Sequence, residues 1–248
     1  MSDSFLGSGR VFIDRLSDAG VPTGLKIAGA CTKFEINTES ELKEQLSKGR
    51  DDYGQVLTSV TLPGKSNISL TLNQLDADNL AMAFLGSKTQ DNQASGTVTS
   101  EAVTAHLGYY SDLAFESVSA VVVKDETDTT TYNVDDDYTV DTRLGMIYAV
   151  DGGAISEGDV LHISYDYAAV TKEKIVGADS PILRASLILD GKNMVNGRNV
   201  RVIVPLARLK PSTAVDFLSD DFLPLELEGL CEIPDGGVSF EIQYLAAE

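Results

Sequence analysis

Alternation of apolar and polar residues runs through most of this chain, and a period of two commits it to half-buried strands. In 67–73, Ile68, Leu70 and Leu72 share one face while Asn67, Ser69, Thr71 and Asn73 form a small polar face opposite. Phe34 and Ile36 alternate in the same way with Glu35, Asn37 and Glu39. Leu225, Leu227, Gly229, Cys231 and Ile233 share parity, which makes Cys231 a core thiol. Further strands are expected over 56–62, 183–190, 200–206, 222–233 and 238–245, with turns at Asp190-Gly191-Lys192 and Asn196-Gly197. The first 32 residues read as a hairpin, opening at Val11-Phe12-Ile13, turning over 17–24 and returning over 25–32.

The period changes once. Asp76 is placed to cap a helix, Asp78 in its first turn suits the dipole, and Leu80, Ala83 and Phe84 fall at helical spacing. Gly86 stands where a left-handed terminating residue is expected. Two stretches lack strand patterning. The run 39–53 mixes both charges and reads as a short helix or a mobile loop that orders on contact, and 87–96 reads as a polar loop.

From 108 to 172 the texture shifts to short strands, expected over 115–123, 132–140, 146–150 and 160–168, between turns rich in Asp, Gly and Thr. That segment holds 13 acidic residues and 3 basic ones, so it carries about half of the chain's net charge of −19. The predicted organisation is therefore mainly β. A sandwich or partial barrel over 1–107 and 173–248, with one short flanking helix, carries an inserted acidic all-β subdomain over 108–172.

Composition excludes several classes of function. A chain with 38 acidic and 19 basic residues lacks the cations needed to grip phosphates. Cys31 and Cys231 are too few and too far apart for a disulfide scaffold and read as unpaired thiols. No apolar run approaches the length of a membrane span, and Met1-Ser2-Asp3-Ser4 is not the start of a signal peptide. The glycosylation sequon at Asn67-Ile68-Ser69 is then a chance match. At 248 residues the chain can bury a core without a metal or disulfide.

Motifs that carry chemistry are not found. His106 and His162 have no cysteine or second histidine at zinc spacing. Gly64-Lys65-Ser66 resembles the end of a phosphate-binding loop, but Ser59 occupies the place of its first glycine and a strand follows where a helix is needed. Asp135-Asp136-Asp137 with Asp141 offers hard oxygen ligands for calcium, yet lacks the spacing and late Glu of a helix-loop-helix site and reads better as a solvated turn. No catalytic, metal-binding or cofactor-binding residue is assigned, and the chain is expected not to be an enzyme.

The stretch 33–86 resembles the major tail (tail tube) proteins of long-tailed bacteriophages. The resemblance is carried by the acidic strand from Phe34 to Glu39, the charged loop with Tyr53-Gly54-Gln55, the strands 56–62 and 68–72, and the block Leu75-Asp76-Ala77-Asp78-Asn79-Leu80. Arg184, Asp190-Gly191 and Asn196-Gly197 ahead of 200–204 look like the family too, and Asp137-Tyr138-Thr139-Val140-Asp141 with Gly145 is similar to β-insertions of phage virion proteins.

The resemblance implies a β-sandwich flanked by one helix, with strands of six copies shared in a continuous ring barrel. Stacked rings then form a virion tail tube through which DNA passes during ejection, in the company of tape-measure, tail-terminator and distal-tail proteins. On that basis Glu35, Asn37, Glu39, Ser69 and Thr71 are expected to line the lumen, where carboxylates and hydroxyls repel phosphate and let DNA slide. Glu41, Lys43, Glu44, Lys48, Arg50, Asp51, Asp52 and Tyr53 are expected to bridge subunits or rings. The insertion, entering after the helix, is expected on the tube exterior, which suits a non-contractile tail. Other readings remain: a different virion β-protein such as a terminator, adaptor or capsid decoration, or an extracellular adhesin-like binding module, which calls for a signal peptide and exposed aromatics in a chain that has no Trp.

Overall fold

A computed structural model of the chain describes residues 4–17 and 19–245. In chain order its elements are β1 (Gly7–Arg15), β2 (Lys26–Ile27), β3 (Cys31–Leu46), β4 (Val56–Leu72), α1 (Ala77–Ala83), β5 (Ser87–Gln93), β6 (Gly96–Thr104), β7 (Tyr110–Asp112) and β8 (Val118–Asp125). β9 (Tyr138–Asp141), β10 (Met146–Ala149), β11 (Val160–Tyr167), β12 (Val170–Val176), β13 (Leu183–Asn193), β14 (Asn199–Pro211), β15 (Leu225–Cys231) and β16 (Glu241–Tyr244) follow. Among the described residues the fold is mainly β, of the sandwich class, with several antiparallel sheets, none closed into a barrel, and one short helix.

The chain divides into two compact units, Met1–Lys88 with Ile175–Glu248, and Thr89–Lys174. The first is built on an eight-stranded sheet in the order β2-β1-β13-β14-β15-β4-β3, with β16 also paired to β14. Its core follows from strand parity. Leu70 of β4 lies opposite Leu227 of β15, and both are buried. Val11 and Ile13 of β1, Leu183 and Leu187 of β13, and Val204 and Leu209 of β14 complete the layer, closed by Met82 of α1. Each such side chain contributes on the order of 1.5–3 kcal/mol relative to exposure. Cys231 packs against this core half-buried.

Asp76 caps α1 as expected, its side chain accepting the Asn79 amide at 2.7 Å. The helix ends differently from the expectation. Leu85, not Gly86, adopts the positive φ, at 47°, and the Gly86 amide returns to the Ala81 carbonyl at 2.8 Å. Position 86 needs glycine for another reason: a Cβ there would run into the Val176 carbonyl.

Other boundaries are corrected. The two strands expected over 56–62 and 67–73 are one strand, β4, continuous through Pro63. Pro63 lies opposite Ser40, next to a register shift between Thr38 and Ser40 where the regular ladder is interrupted. Asp190-Gly191-Lys192 is no turn: all three residues lie in β13, paired on both sides with β1 and β14. The turn is made at Asn196-Gly197, whose Gly197 amide donates to the Asn193 carbonyl. In the first hairpin only Lys26 and Ile27 return as a strand, and Asp18 of its turn lies outside the described residues.

The second unit starts at Thr89, ahead of the expected 108. β6 is a full partner of β11 and belongs to that unit's sheet β6-β11-β8, beside the sheet β7-β10-β9. The expected polar loop 87–96 contains β5, which pairs with β12. The unit has its own core, including Val123, Ile147, Leu161, Ile163 and Tyr165, and Phe115 stacks on Tyr167 at 3.9 Å.

Candidate functional site

β3 and β4 form the longest pairing of the chain, from Cys31 opposite Leu72 to Leu46 opposite Val56. Its first half belongs to the sheet. Phe34 and Ile36 turn to the core, and Glu35 and Asn37 turn away, opposite Ser69 and Asn67. On the far side of β4, Glu228 lies opposite Ser69 and Glu226 opposite Thr71, while Lys210 of β14 lies opposite Glu228. The sequence-selected Glu35, Asn37, Ser69 and Thr71 are thus brought onto one polar sheet face. Part of it forms a hollow of about 540 Å³ lined by Lys33, Glu35, Asn37, Asn67, Ser69, Lys210 and Glu228, among others. Glu39 reaches the same face through its carboxylate, which accepts the Asn67 amide at 2.6 Å.

The face is not a bare carboxylate lining. Lys33 binds Glu35 at 2.9 Å and Lys210 binds Glu228 at 2.9 Å. The hydrogen bond that the Lys33 ammonium donates to the Glu35 carboxylate holds its pKa above the ordinary value, so it stays charged at neutral pH. Sequence reasoning passed over Glu226, Glu228, Lys33 and Lys210. The signal was present in the parity of β15, because apolar Leu225 and Leu227 put Glu226 and Glu228 on the opposite face.

The second half of the β3–β4 pair leaves the core and continues as a two-stranded arm. Glu41, Lys43 and Glu44, expected in a loop, lie on β3 opposite Leu62, Val60 and Ser59. The turn holds Lys48, Arg50, Asp51, Asp52 and Tyr53, closed by the Ser47 amide on the Gln55 carbonyl at 2.7 Å and the Gly54 amide on the Ser47 carbonyl at 2.9 Å. A regular ladder accounts for this order better than either a helix or a mobile loop: alternating 40–46 pairs with a strand-forming partner. Lys43 and Glu41 are 3.8 Å apart on the arm and mostly exposed, a contact of little energetic weight.

The arm also carries apolar residues with nothing to cover them. Leu42, Leu46, Val56, Leu57 and Val60 are each at least half exposed, and Tyr53 is 77% exposed at the tip. Among the described residues, no strand pairs with the outer edge of the 16-residue β3. A free edge of this length, flanked by apolar side chains, is a template for another strand.

Elsewhere the polar groups are spent on structure. Asp137 is buried, and its carboxylate accepts the amides of Asn133 and Ala154, both at 2.8 Å, which hold its pKa below the usual range. The sequence reading of Asp135-Asp136-Asp137 as a solvated turn therefore fails for Asp137, which ties the turn to the following loop. His106 pairs with Glu157 at 2.8 Å and His162 with Asp128 at 3.2 Å. Gly64-Lys65-Ser66 lies within β4. Among the described residues no three His, Cys, Asp or Glu side chains are grouped to hold a metal ion, and no helix is long and apolar enough to cross a membrane.

Residues 4–233 match the model of a family described as protein of unknown function UCP028589. No curated protein matches the chain.

Proposed function

We propose that this chain, which belongs to the UCP028589 family, is the tube-forming subunit of a long-tailed bacteriophage tail. The observation that carries the reading is the open 16-residue edge of β3 running into an arm with uncovered apolar residues. A subunit whose sheet continues into the sheet of its neighbour removes that edge and covers those side chains. Six copies joined this way close a ring whose inner wall is made of β-strands, and the arms bridge to the next subunit or ring.

The polar face of β3, β4, β15 and β14 is the surface that meets DNA. Its lysines are engaged by carboxylates, so it offers phosphates few unpaired cations and lets the duplex slide. At physiological salt the Debye length is about 8 Å, which makes this a short-range, non-stick coating. The Thr89–Lys174 unit is carried on the tube exterior, an arrangement suited to a non-contractile tail. Assembly with tape-measure, terminator and distal-tail proteins belongs to the same reading.

One observation favours a second reading, a binding module: Tyr109 and Tyr110 are 70% and 60% exposed, and Tyr110 meets Tyr148 at 5.0 Å between ring centroids. Electron microscopy of the purified chain at high concentration separates the two. Hollow tubes of uniform width are expected, and a compact single-copy particle at every concentration overturns the tube.

A further inference from the structure

The connection between β14 and β15, residues 212–224, is pinned at its base and offers its tip to solvent. Val215 packs against the core of the first unit, and Phe217 stacks on Phe84 at 6.0 Å. The tip shapes itself: the Asp216 carboxylate accepts the Leu218 amide at 2.9 Å, and the Ser219 hydroxyl accepts the Asp221 amide at 3.1 Å. The result holds Leu218 92% exposed and Phe222 98% exposed, between Asp216, Asp220 and Asp221. Two large apolar side chains in a loop already ordered by its own hydrogen bonds cost little further entropy to dock.

The same unit carries a surface of the opposite character. A groove of about 500 Å³ is lined by Phe34, Ile36, Leu189, Val202, Ile242 and Tyr244, among others. Lys33 stands in its wall, and the Arg198 guanidinium lies over the Tyr244 ring at 5.5 Å. The volume suits two large side chains, and although Lys33 is already bound to Glu35, the Arg198 guanidinium beside Tyr244 suits an acidic loop.

We infer that the loop 212–224 of one copy docks in this groove of a second copy of the chain, with Leu218 and Phe222 in the groove and its aspartates towards Arg198. The contact joins two different surfaces of identical chains, so it repeats head to tail and closes into a ring or runs on as a filament. The arm is the poorer occupant, because its mixed charges match the Arg198 guanidinium less well than the three aspartates of the loop. This inference deepens the self-assembly reading and rests on it.

Light scattering and sedimentation of the full chain across a concentration series test it. Leu218→Ser with Phe222→Ser alters only exposed positions and should raise the concentration for half-assembly by about tenfold or more. Asp220→Lys with Asp221→Lys, and separately Arg198→Glu, should each weaken assembly, and mixing the two charge-reversed chains should restore it. Wild type that assembles with the Leu218→Ser/Phe222→Ser chain unchanged overturns the loop contact and leaves the tube standing. Weakening by the groove reversal but not by the loop reversal also overturns it, since another segment then fills the groove. Wild type that stays single-copy at every concentration removes the tube reading and this contact with it.

Discussion

Asn67 donates from Nδ2 to the Glu39 carboxylate at 2.6 Å, joining β4 to β3 at the point where the sheet ends and the arm begins. The bond spans the register shift between Thr38 and Ser40, where Gly64 comes so close that a Cβ would sit 2.6 Å from the Glu39 carbonyl oxygen. Asn67→Ala removes the clasp but no core contact. The expected loss is about 0.5–1 kcal/mol, because the bond is exposed. It should appear as faster hydrogen exchange in 39–62, with slow exchange retained at Leu70 and Leu187. Unchanged exchange in the arm would show that the bond does not hold it.

The pairing of Leu70 with Leu227 makes a sharper prediction. Leu227→Ala leaves a cavity between two buried strands and should cost roughly 3 kcal/mol. Denaturant unfolding followed by hydrogen exchange should show the loss in the first unit. Amides of Val123 and Ile163, in the separate core of the second unit, should keep their protection.

Gly86→Ala tests the close approach of the segment after α1 to Val176. The added methyl meets a carbonyl, which cannot move as a flexible side chain can, so the cost should be about 1–3 kcal/mol. Thermal unfolding of the variant measures it, and a melting point equal to wild type would mean that the backbone yields freely there.

Asp125 sets a pH dependence for the second unit. The Thr127 hydroxyl and the Thr130 amide hold its carboxyl at about 2, below the ordinary 3.8. A carboxyl depressed in the folded state stabilises the fold above its unfolded pKa, and that contribution disappears as pH falls through the folded value. The turn 125–130 should therefore add its full share above about pH 4 and lose it towards pH 2. Asp125→Asn should flatten this part of the stability–pH curve. An NMR titration of the Asp125 carboxyl with a midpoint near 4 would contradict the hydrogen-bonding account.

The polar face can be tested by charge reversal. Glu35→Lys with Glu39→Lys leaves Lys33 without its carboxylate and adds two cations to the proposed DNA-facing wall. Tubes should still form, because neither residue is in the core, while DNA ejection from virions carrying the variant slows or stops. Ejection and infectivity equal to wild type would remove the proposed role of this face.

Parity carried the sequence reading a long way. It separated Phe34, Ile36, Ile68, Leu70 and Leu72 from the polar residues between them, and the N-cap at Asp76 fixed the start of the helix. What it could not carry was pairing at a distance. That β15 lies beside β4, and so brings Glu226 and Glu228 to the face of Glu35, depends on contacts across more than 150 residues. The arm was hidden for a different reason. Charges over 39–53 suggest solvation, but a two-stranded ladder pairs one edge of each strand and leaves the other to water without needing a buried face. The polar strand β5 escaped in the same way, since its partner β12 supplies hydrogen bonds rather than apolar cover. Leu85, not Gly86, took the left-handed conformation, and the glycine at 86 answers instead to the close approach of the Val176 carbonyl, which local patterning does not show.

The two hydrophobic cores share no residue. A substitution among the core residues of the Thr89–Lys174 unit therefore removes no side chain from the core of the eight-stranded sheet, and the reverse holds as well. Each core can therefore accept its own compensating changes, one apolar position balanced by a neighbour in the same unit.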